Sequence, residues 1–294
     1  MNYKINKYFL ILISCLIIFD FYIWKDIFVL KASSNVTAYF LNVDQGDSEL
    51  IKFENTSKFI QNPVYLLIDA GKPNGMALRE LDKIISPFNK HIDLALLTHP
   101  QLDHFGGFIE ILNKYEIGAF IDNGRLGETD SYSSLKENLE LKKTKRVILK
   151  EGDKIIYGNN ILKILSPNQS LKNSKELNDG CLVVKLESKD FNAFFTGDIG
   201  FNVEDYLVSK YDLASDILKV PHHGSKYSSG KSFLRAVNPK ISIIGVGKNT
   251  YGHPSKLTLD TIAKQGSLVF TTKEEGSIKI ERIADKLKVF KLNQ

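Results

Sequence analysis

Apolar positions in this chain gather into short runs that end abruptly in polar clusters, and this pattern recurs from residue 36 onward. Leu94 to Leu97 is such a run, bounded by Thr98 and Pro100; its length and unbroken hydrophobicity predict a strand buried on both faces. Upstream, Val36 to Val43 alternates, halts at Asp44-Gln45-Gly46-Asp47-Ser48 and resumes from Glu49 to Phe53, which predicts a hairpin with a polar tip. Tyr65 to Ile68 is another strand, ending at Asp69-Ala70-Gly71. Met76 to Ile85 carries the helical stripe Leu78, Leu81, Ile84 and Ile85, stopped by Ser86-Pro87. Beyond Leu97, Gly106-Gly107 reads as a tight reversal into a helix from Phe108 to Tyr115, followed by a strand at Gly118 to Ile121 and a loop from Gly124 to Asp130. The lysine-rich stretch Leu135 to Arg146 reads as a solvated helix face. In the second half, Phe191 to Thr196 runs into Gly197-Asp198, Ile217 to Val220 into Pro221-His222-His223-Gly224-Ser225, and Ile241 to Val246 toward Tyr251-Gly252-His253-Pro254. Buried strands interleaved with helices predict an α/β domain over residues 36–294.

The N-terminus follows a different pattern. Lys4 and Lys7 precede a nearly continuous apolar run from Tyr8 to Trp24, apolar all round, with Tyr and Trp at its flanks. This predicts a membrane anchor in residues 1–31, with a transmembrane helix at about 8–24. The positive-inside bias then places the rest of the chain on the extracytoplasmic side. Ala32-Ser33-Ser34 leaves a cleaved signal peptide as the alternative.

Composition narrows the chemistry. At 43% hydrophobic and 25% charged residues, the 294-residue chain is an ordinary globular composition, and disorder is excluded. A net charge of +5 is compatible with an anionic partner such as nucleic acid without requiring one. Only Cys15 and Cys181 occur, so neither a disulfide framework nor a thiolate metal site is available. A bound metal would have to use His, Asp and amide ligands. Five of the six histidines lie just past apolar runs; His91, before one, reads as a surface residue. His99, Asp103 and His104 fall within six positions, and imidazole with carboxylate is the donor mixture that a divalent ion of intermediate softness takes.

In order, Leu41 to Ser48, Leu67 to Gly71, Thr98 to Gly107, Asn178-Asp179-Gly180, Thr196-Gly197-Asp198, Pro221 to Ser225 and Tyr251 to Pro254 resemble the motifs of the metallo-β-lactamase superfamily. In particular they resemble the C-terminal hydrolase domain of ComEC/Rec2 competence proteins, over about residues 36–290. The resemblance implies an αββα sandwich with a metal centre between the edges of two sheets. It places His99 at a first metal position, Asp103 and His104 at a second, and Asp198 as the bridge. His253 is the preferred last ligand, with His222 or His223 contacting metal or phosphate. Two positions depart from the pattern: Gln101, retained among the candidate metal ligands, stands where a His or Asp is usual, and Asn178 lies near where another His is usual. The expected cofactor is one or two divalent ions, Zn²⁺ or Mn²⁺, with no nucleotide cofactor. Asp103, His222 and His223 are the candidate catalytic groups, Asn178, Ser225 and Lys226 the candidate substrate contacts, and Asp47 and Asp69 supporting residues. The implied activity is a metal-dependent phosphodiesterase or nuclease of DNA uptake or extracellular DNA degradation. The alternatives are hydrolysis of another ester, such as a phosphorylcholine ester or a lactone, and a non-catalytic module that holds DNA or a partner in a degraded site.

Overall fold

A computed structural model describes residues 36–54 and 62–292. The expected anchor lies outside them, and no helix among the described residues is long and apolar enough to cross a membrane. Two sheets face each other. The first has the order β15-β14-β1-β2-β3-β4-β5-β6, made of β1 (Val36–Phe40), β2 (Glu49–Phe53), β3 (Val64–Ile68), β4 (His91–Leu96), β5 (Glu116–Asp122), β6 (Lys145–Ile148), β14 (Ile278–Ile283) and β15 (Lys286–Lys291). The second, β13-β12-β11-β10-β9-β8-β7, comprises β7 (Lys154–Tyr157), β8 (Asn160–Ser166), β9 (Val183–Glu187), β10 (Ala193–Phe195), β11 (Ile217–Lys219), β12 (Ile241–Ile244) and β13 (Leu268–Thr271).

The period-two alternation of the strands builds three apolar layers at once. Ala38, Phe40, Ile51, Phe53, Leu66 and Ile68 point between the sheets and meet Leu186, Phe195, Ile217 and Ile243 of the second sheet. Phe40 stacks on Phe195 there, with ring centroids 6.2 Å apart. Tyr39, Leu50, Tyr65 and Leu67 point outward onto α1 (Met76–Ile84), α2 (Leu102–Lys114) and α3 (Asp130–Leu141) through Leu81, Phe105, Phe108 and Leu135. On the opposite face Phe194, Leu218 and Ile244 pack on α4 (Phe201–Lys210), α5 (Lys231–Val237) and α6 (Lys256–Lys264) through Leu207, Phe233 and Ile262. The result is the four-layer αββα arrangement, with central strands such as β1, β10, β11 and β12 buried on both sides and the edge strands β6, β7 and β15 partly exposed.

Three expectations are corrected. The helix after β4 starts at Leu102, not Phe108, so Asp103, His104 and both glycines lie inside it. Its glycines serve contact, not reversal: a Cβ on Gly107 would stand 2.0 Å from the Ala70 carbonyl oxygen. The loop from Gly124 ends as expected where α3 begins at Asp130, with the Thr129 side chain accepting from the Tyr132 N–H, but the lysine-rich stretch Leu135 to Arg146 is helix only to Leu141 and then passes through a turn into the edge strand β6. Finally, the polar tip Asp44 to Ser48 is folded inward, with Gln45, Asp47 and Ser48 buried.

Candidate metal centre

Strands β3 and β4 run parallel in one sheet, β10, β11 and β12 in the other, and their carboxyl ends meet at one rim of the sandwich. The chain leaving a strand end is free to turn its side chains into that rim. Asp69 follows β3, His99 follows β4, Asp103 and His104 occupy the first turn of α2, Asp198 follows β10, and His222 and His223 follow β11. The last pair is aimed by an unusual backbone: His222 (φ 51, ψ 47) and His223 (φ 52, ψ 26) are both left-handed, a conformation costing an L-residue roughly 1–2 kcal/mol. His222 N–H donates to the Gly197 carbonyl (3.2 Å), Ser225 N–H to the His222 carbonyl (2.8 Å) and the Ser228 hydroxyl to the Pro221 carbonyl (3.0 Å), which together hold the turn. Gly46, at φ +149, lets the inward tip pass against α2, where a Cβ would lie 2.5 Å from the Asp103 carbonyl oxygen.

Hydrogen bonds fix the imidazole tautomers. Thr98 Oγ1 donates to Asp69 Oδ2 (2.6 Å), so its remaining lone pair accepts from His99 Nδ1 (3.0 Å). Asp69 Oδ2 also accepts from His104 Nδ1 (2.7 Å), and the Gly245 carbonyl from His223 Nδ1 (2.8 Å). Each bond leaves Nε2 as the ring nitrogen available to a cation, the usual second partner arrangement of metal-binding histidines. All three Nε2 atoms are buried and have no hydrogen-bond partner among the described residues, as is Asp198 Oδ1. Asp198 Oδ2 lies 3.4 Å from His104 Nε2, 3.3 Å from His223 Nε2 and 3.9 Å from His222 Nε2, and Asp103 Oδ2 is 3.5 Å from His223 Nε2. Ligand atoms of Asp47, His104, Asp198 and His223 all lie within 4.8 Å of one another. Orphaned imidazole nitrogens around buried carboxylates suit a divalent cation.

The charges show the same thing. Burial opposes ionisation of Asp198, but His223 and His104 outweigh it and hold the carboxyl well below the usual range. Burial would neutralise His104 and His223, yet Asp198, with Asp69 beside the first and Asp47 beside the second, raises both well above an ordinary imidazole. Protons thus balance the carboxylates, and a metal ion would displace them. His99 behaves oppositely: burial, then the charge of His104, lowers it to about 3, so it is neutral. Beneath the cluster Lys219, fully buried, pairs with Asp47, donates to the Gly197 carbonyl (3.2 Å) and stands 3.8 Å from Asp198 Oδ1.

Above it opens a cleft of about 210 Å³ lined by Gln45, Gln101, Asp103, Asp198, His222, His223, Tyr251 and His253. His253 faces this cleft, 5.5 Å from the His222 ring, and stands outside the tight cluster that contains His223. Gln101 spends its amide on Asn178, donating from Nε2 to Oδ1 at 2.9 Å. Ser225 is buried and its hydroxyl accepts from the Tyr227 N–H within its own turn, while Lys226 lies over the Tyr227 ring beside a separate hollow with Phe201 and Lys231; neither lines the cleft. Thr98, Gln45 and Tyr251 lie within the sequence motifs but carry no role there, and Lys219 lies outside them. The only signal for Lys219 was a charge inside an otherwise apolar strand.

The segment after the histidine pair is anchored from α4. Glu204 accepts from the Ser229 N–H (2.5 Å) and the Gly230 N–H (2.8 Å), and burial, with Asp205 nearby, pushes its carboxyl up to about 7 despite those bonds. An acid whose pKa is higher folded than unfolded loses stability as pH rises through the interval between the two values. Stability is therefore expected to fall between about pH 4.5 and 7 by up to about 3 kcal/mol, and to level off above. In Glu204→Gln this component should vanish; denaturant unfolding at a series of pH values checks it, and an unchanged pH profile in the variant would contradict the assignment.

Comparison with known proteins places this geometry. A family model described as the metallo-β-lactamase superfamily matches residues 64–248. The chain is 29% identical over 209 residues to ComE operon protein 3 of Bacillus subtilis, covering 67% of this chain and 26% of that protein. It is 25% identical over 239 residues to competence protein ComA of Neisseria gonorrhoeae, covering 80% and 30%. With Recombination protein 2 of Haemophilus influenzae the figures are 24% over 255 residues, 85% and 29%. The chain thus spans under a third of the length of these curated relatives. Among solved structures, the metallo-β-lactamase fold protein YhfI from Bacillus subtilis has a TM-score of 0.52 at 10% identity, covering 83% of this chain and 99% of the other, which shows the shared fold. With the sandwich, the rim position of the cluster and a family match over most of the described domain in agreement, the chain belongs to the metallo-β-lactamase superfamily.

Proposed function

We propose that this chain is a metal-dependent phosphodiesterase that cleaves DNA, held in a membrane by its N-terminal segment with the catalytic domain on the extracytoplasmic side. The observation that carries the reading is the convergence of partnerless Nε2 atoms of His104 and His223 on Asp198 at the floor of an open cleft. The resemblance of the sequence motifs to the ComEC/Rec2 hydrolase domain supports DNA as substrate, and the apolar run from Tyr8 to Trp24 supports the anchor. A divalent ion on Asp103, His104, Asp198 and His223 would supply Lewis acidity toward a phosphoryl oxygen and make water a competent nucleophile near neutral pH. The chain's own groups do the rest. Asp69, through Thr98 and His104, keeps the imidazoles in register. Asp103 reaches the cleft with its carboxylate ionised: burial works against this, but the neighbouring His223 and the charge of His104 hold its pKa low, so it serves as a ligand and not as the base. His222, part exposed at the cleft and kept neutral chiefly by burial, accepts the proton of the attacking water and returns it to the leaving alkoxide as the ester P–O bond breaks.

The test is hydrolysis of bis(p-nitrophenyl) phosphate and linear DNA by the purified full chain, with Mn²⁺ or Zn²⁺ and with excess chelator. Turnover of both substrates that chelator abolishes and metal restores is expected. Metal binding without phosphodiester cleavage would point to another ester; neither metal binding nor turnover would sink the enzyme and leave a binding module.

A further inference from the structure

We propose that the centre holds one tightly bound divalent ion, in the position framed by Asp103, His104, Asp198 and His223, and that Gln101 and Asn178 close the neighbouring position beside His99. The proposal rests on the metal-centre reading above and adds the number of ions and the reason for it.

The two sides of Asp198 differ. Oδ2 faces His104, His223 and His222 at 3.4, 3.3 and 3.9 Å, and Asp103 stands on the same side, 3.5 Å from His223 Nε2. Oδ1 faces the ammonium of Lys219 at 3.8 Å. That ammonium is pinned by Asp47 and by the Gly197 carbonyl, so it cannot withdraw to admit another cation, and a fixed positive charge at this distance weakens the pull of Oδ1 on one.

On the His99 side the other donors are neutral amides. Gln101 Nε2 donates to Asn178 Oδ1, which ties the two side chains to each other, and a carboxamide oxygen is a weak ligand for a transition ion. Both amides are anchored by backbone. Gln101 caps α2 in extended conformation (φ −104, ψ 146), and Asn178 opens a short 3₁₀ turn whose carbonyl accepts from the Cys181 N–H at 3.2 Å. What remains is His99 Nε2, one strong donor without a partner among the described residues. Tight binding of a transition ion takes three or four protein ligands, and one imidazole with half of a shared carboxylate falls short.

The experiment is Mn²⁺ binding to the chelator-stripped full chain, read as bound equivalents by equilibrium dialysis and as the electron paramagnetic resonance spectrum. One tight equivalent with the hyperfine pattern of an isolated ion is expected, and any second ion should bind at least about a hundredfold more weakly, the scale reached by disturbing a single outer partner of a metal ligand. In the double variant Q101H/N178H a second tight equivalent and an exchange-coupled spectrum are expected. Two tight equivalents with a coupled spectrum in the unmodified chain would overturn the proposal while leaving the phosphodiesterase reading intact. A folded double variant that gains no second ion would overturn the role given to the amide pair. If the double variant does not fold, the stoichiometry of the unmodified chain decides. No bound Mn²⁺ at all, confirmed with Zn²⁺, would overturn both readings together.

Discussion

Replacing Asp198 with alanine is expected to empty the centre of metal and lower phosphodiester hydrolysis by on the order of 10²–10³-fold or more, the scale set by losing one preorganised charge in an active site, while the domain stays folded. Among the described residues, Asp198 is the one carboxylate that reaches His104, His222 and His223 at once, through a single oxygen. Without it, any cation in the cleft loses its shared ligand. The same carboxylate is a principal cause of the raised His104 and His223 values, so both imidazoles shed protons instead of remaining as unpaired buried charges, and the stability cost is limited. Asp198→Asn should behave like the alanine variant in metal content, since a neutral amide oxygen is a poor substitute for a carboxylate ligand. Metal content by mass spectrometry and initial rates on bis(p-nitrophenyl) phosphate measure both variants. Full metal content and wild-type rates in Asp198→Ala would mean that the chemistry is elsewhere.

Lys219→Met should act mainly on folding. Lys219 and Asp47 are both fully buried and paired across the two sheets, 172 positions apart in sequence. Removing the cation leaves Asp47 as a buried carboxylate whose remaining charge partners are His223 and His104, and breaking a pair of this kind costs about 3–5 kcal/mol. Replacing both ends with apolar groups avoids the stranded charge. The double variant Lys219→Met/Asp47→Leu is therefore expected to be destabilised by less than the sum of the single changes, the excess measuring their coupling. Urea unfolding of the four proteins completes the cycle. A Lys219→Met cost below about 1 kcal/mol would show that the pair contributes little.

Much of this was legible in the chain because strands buried on both faces leave an unmistakable trace. Leu94 to Leu97 and Ile217 to Val220 read as interior strands, and the polar residues that follow them then lie at a rim. What was not legible depends on partners far away in sequence. Gly106-Gly107 reads as a turn until Ala70 is seen pressed against the helix at Gly107. The placement of His222, His223 and His253 relative to Asp198 turns on consecutive left-handed residues, which no spacing rule anticipates. Leu135 to Arg146 mixes the end of a helix with the approach to an edge strand, because a solvated helix face and a charged sheet edge use the same residues.

Strand β1 pairs with β2 on one side and with β14 on the other, Thr37 lying opposite Glu281. During synthesis the first sheet therefore emerges with a flank of β1 unmatched, and that flank waits while the whole second sheet is made. A nascent chain released before Ile278 would carry an apolar, hydrogen-bond-hungry edge whose most available partner is the same edge of a sibling. The closing hairpin of β14 and β15 is thus what shields the first strand from such pairing.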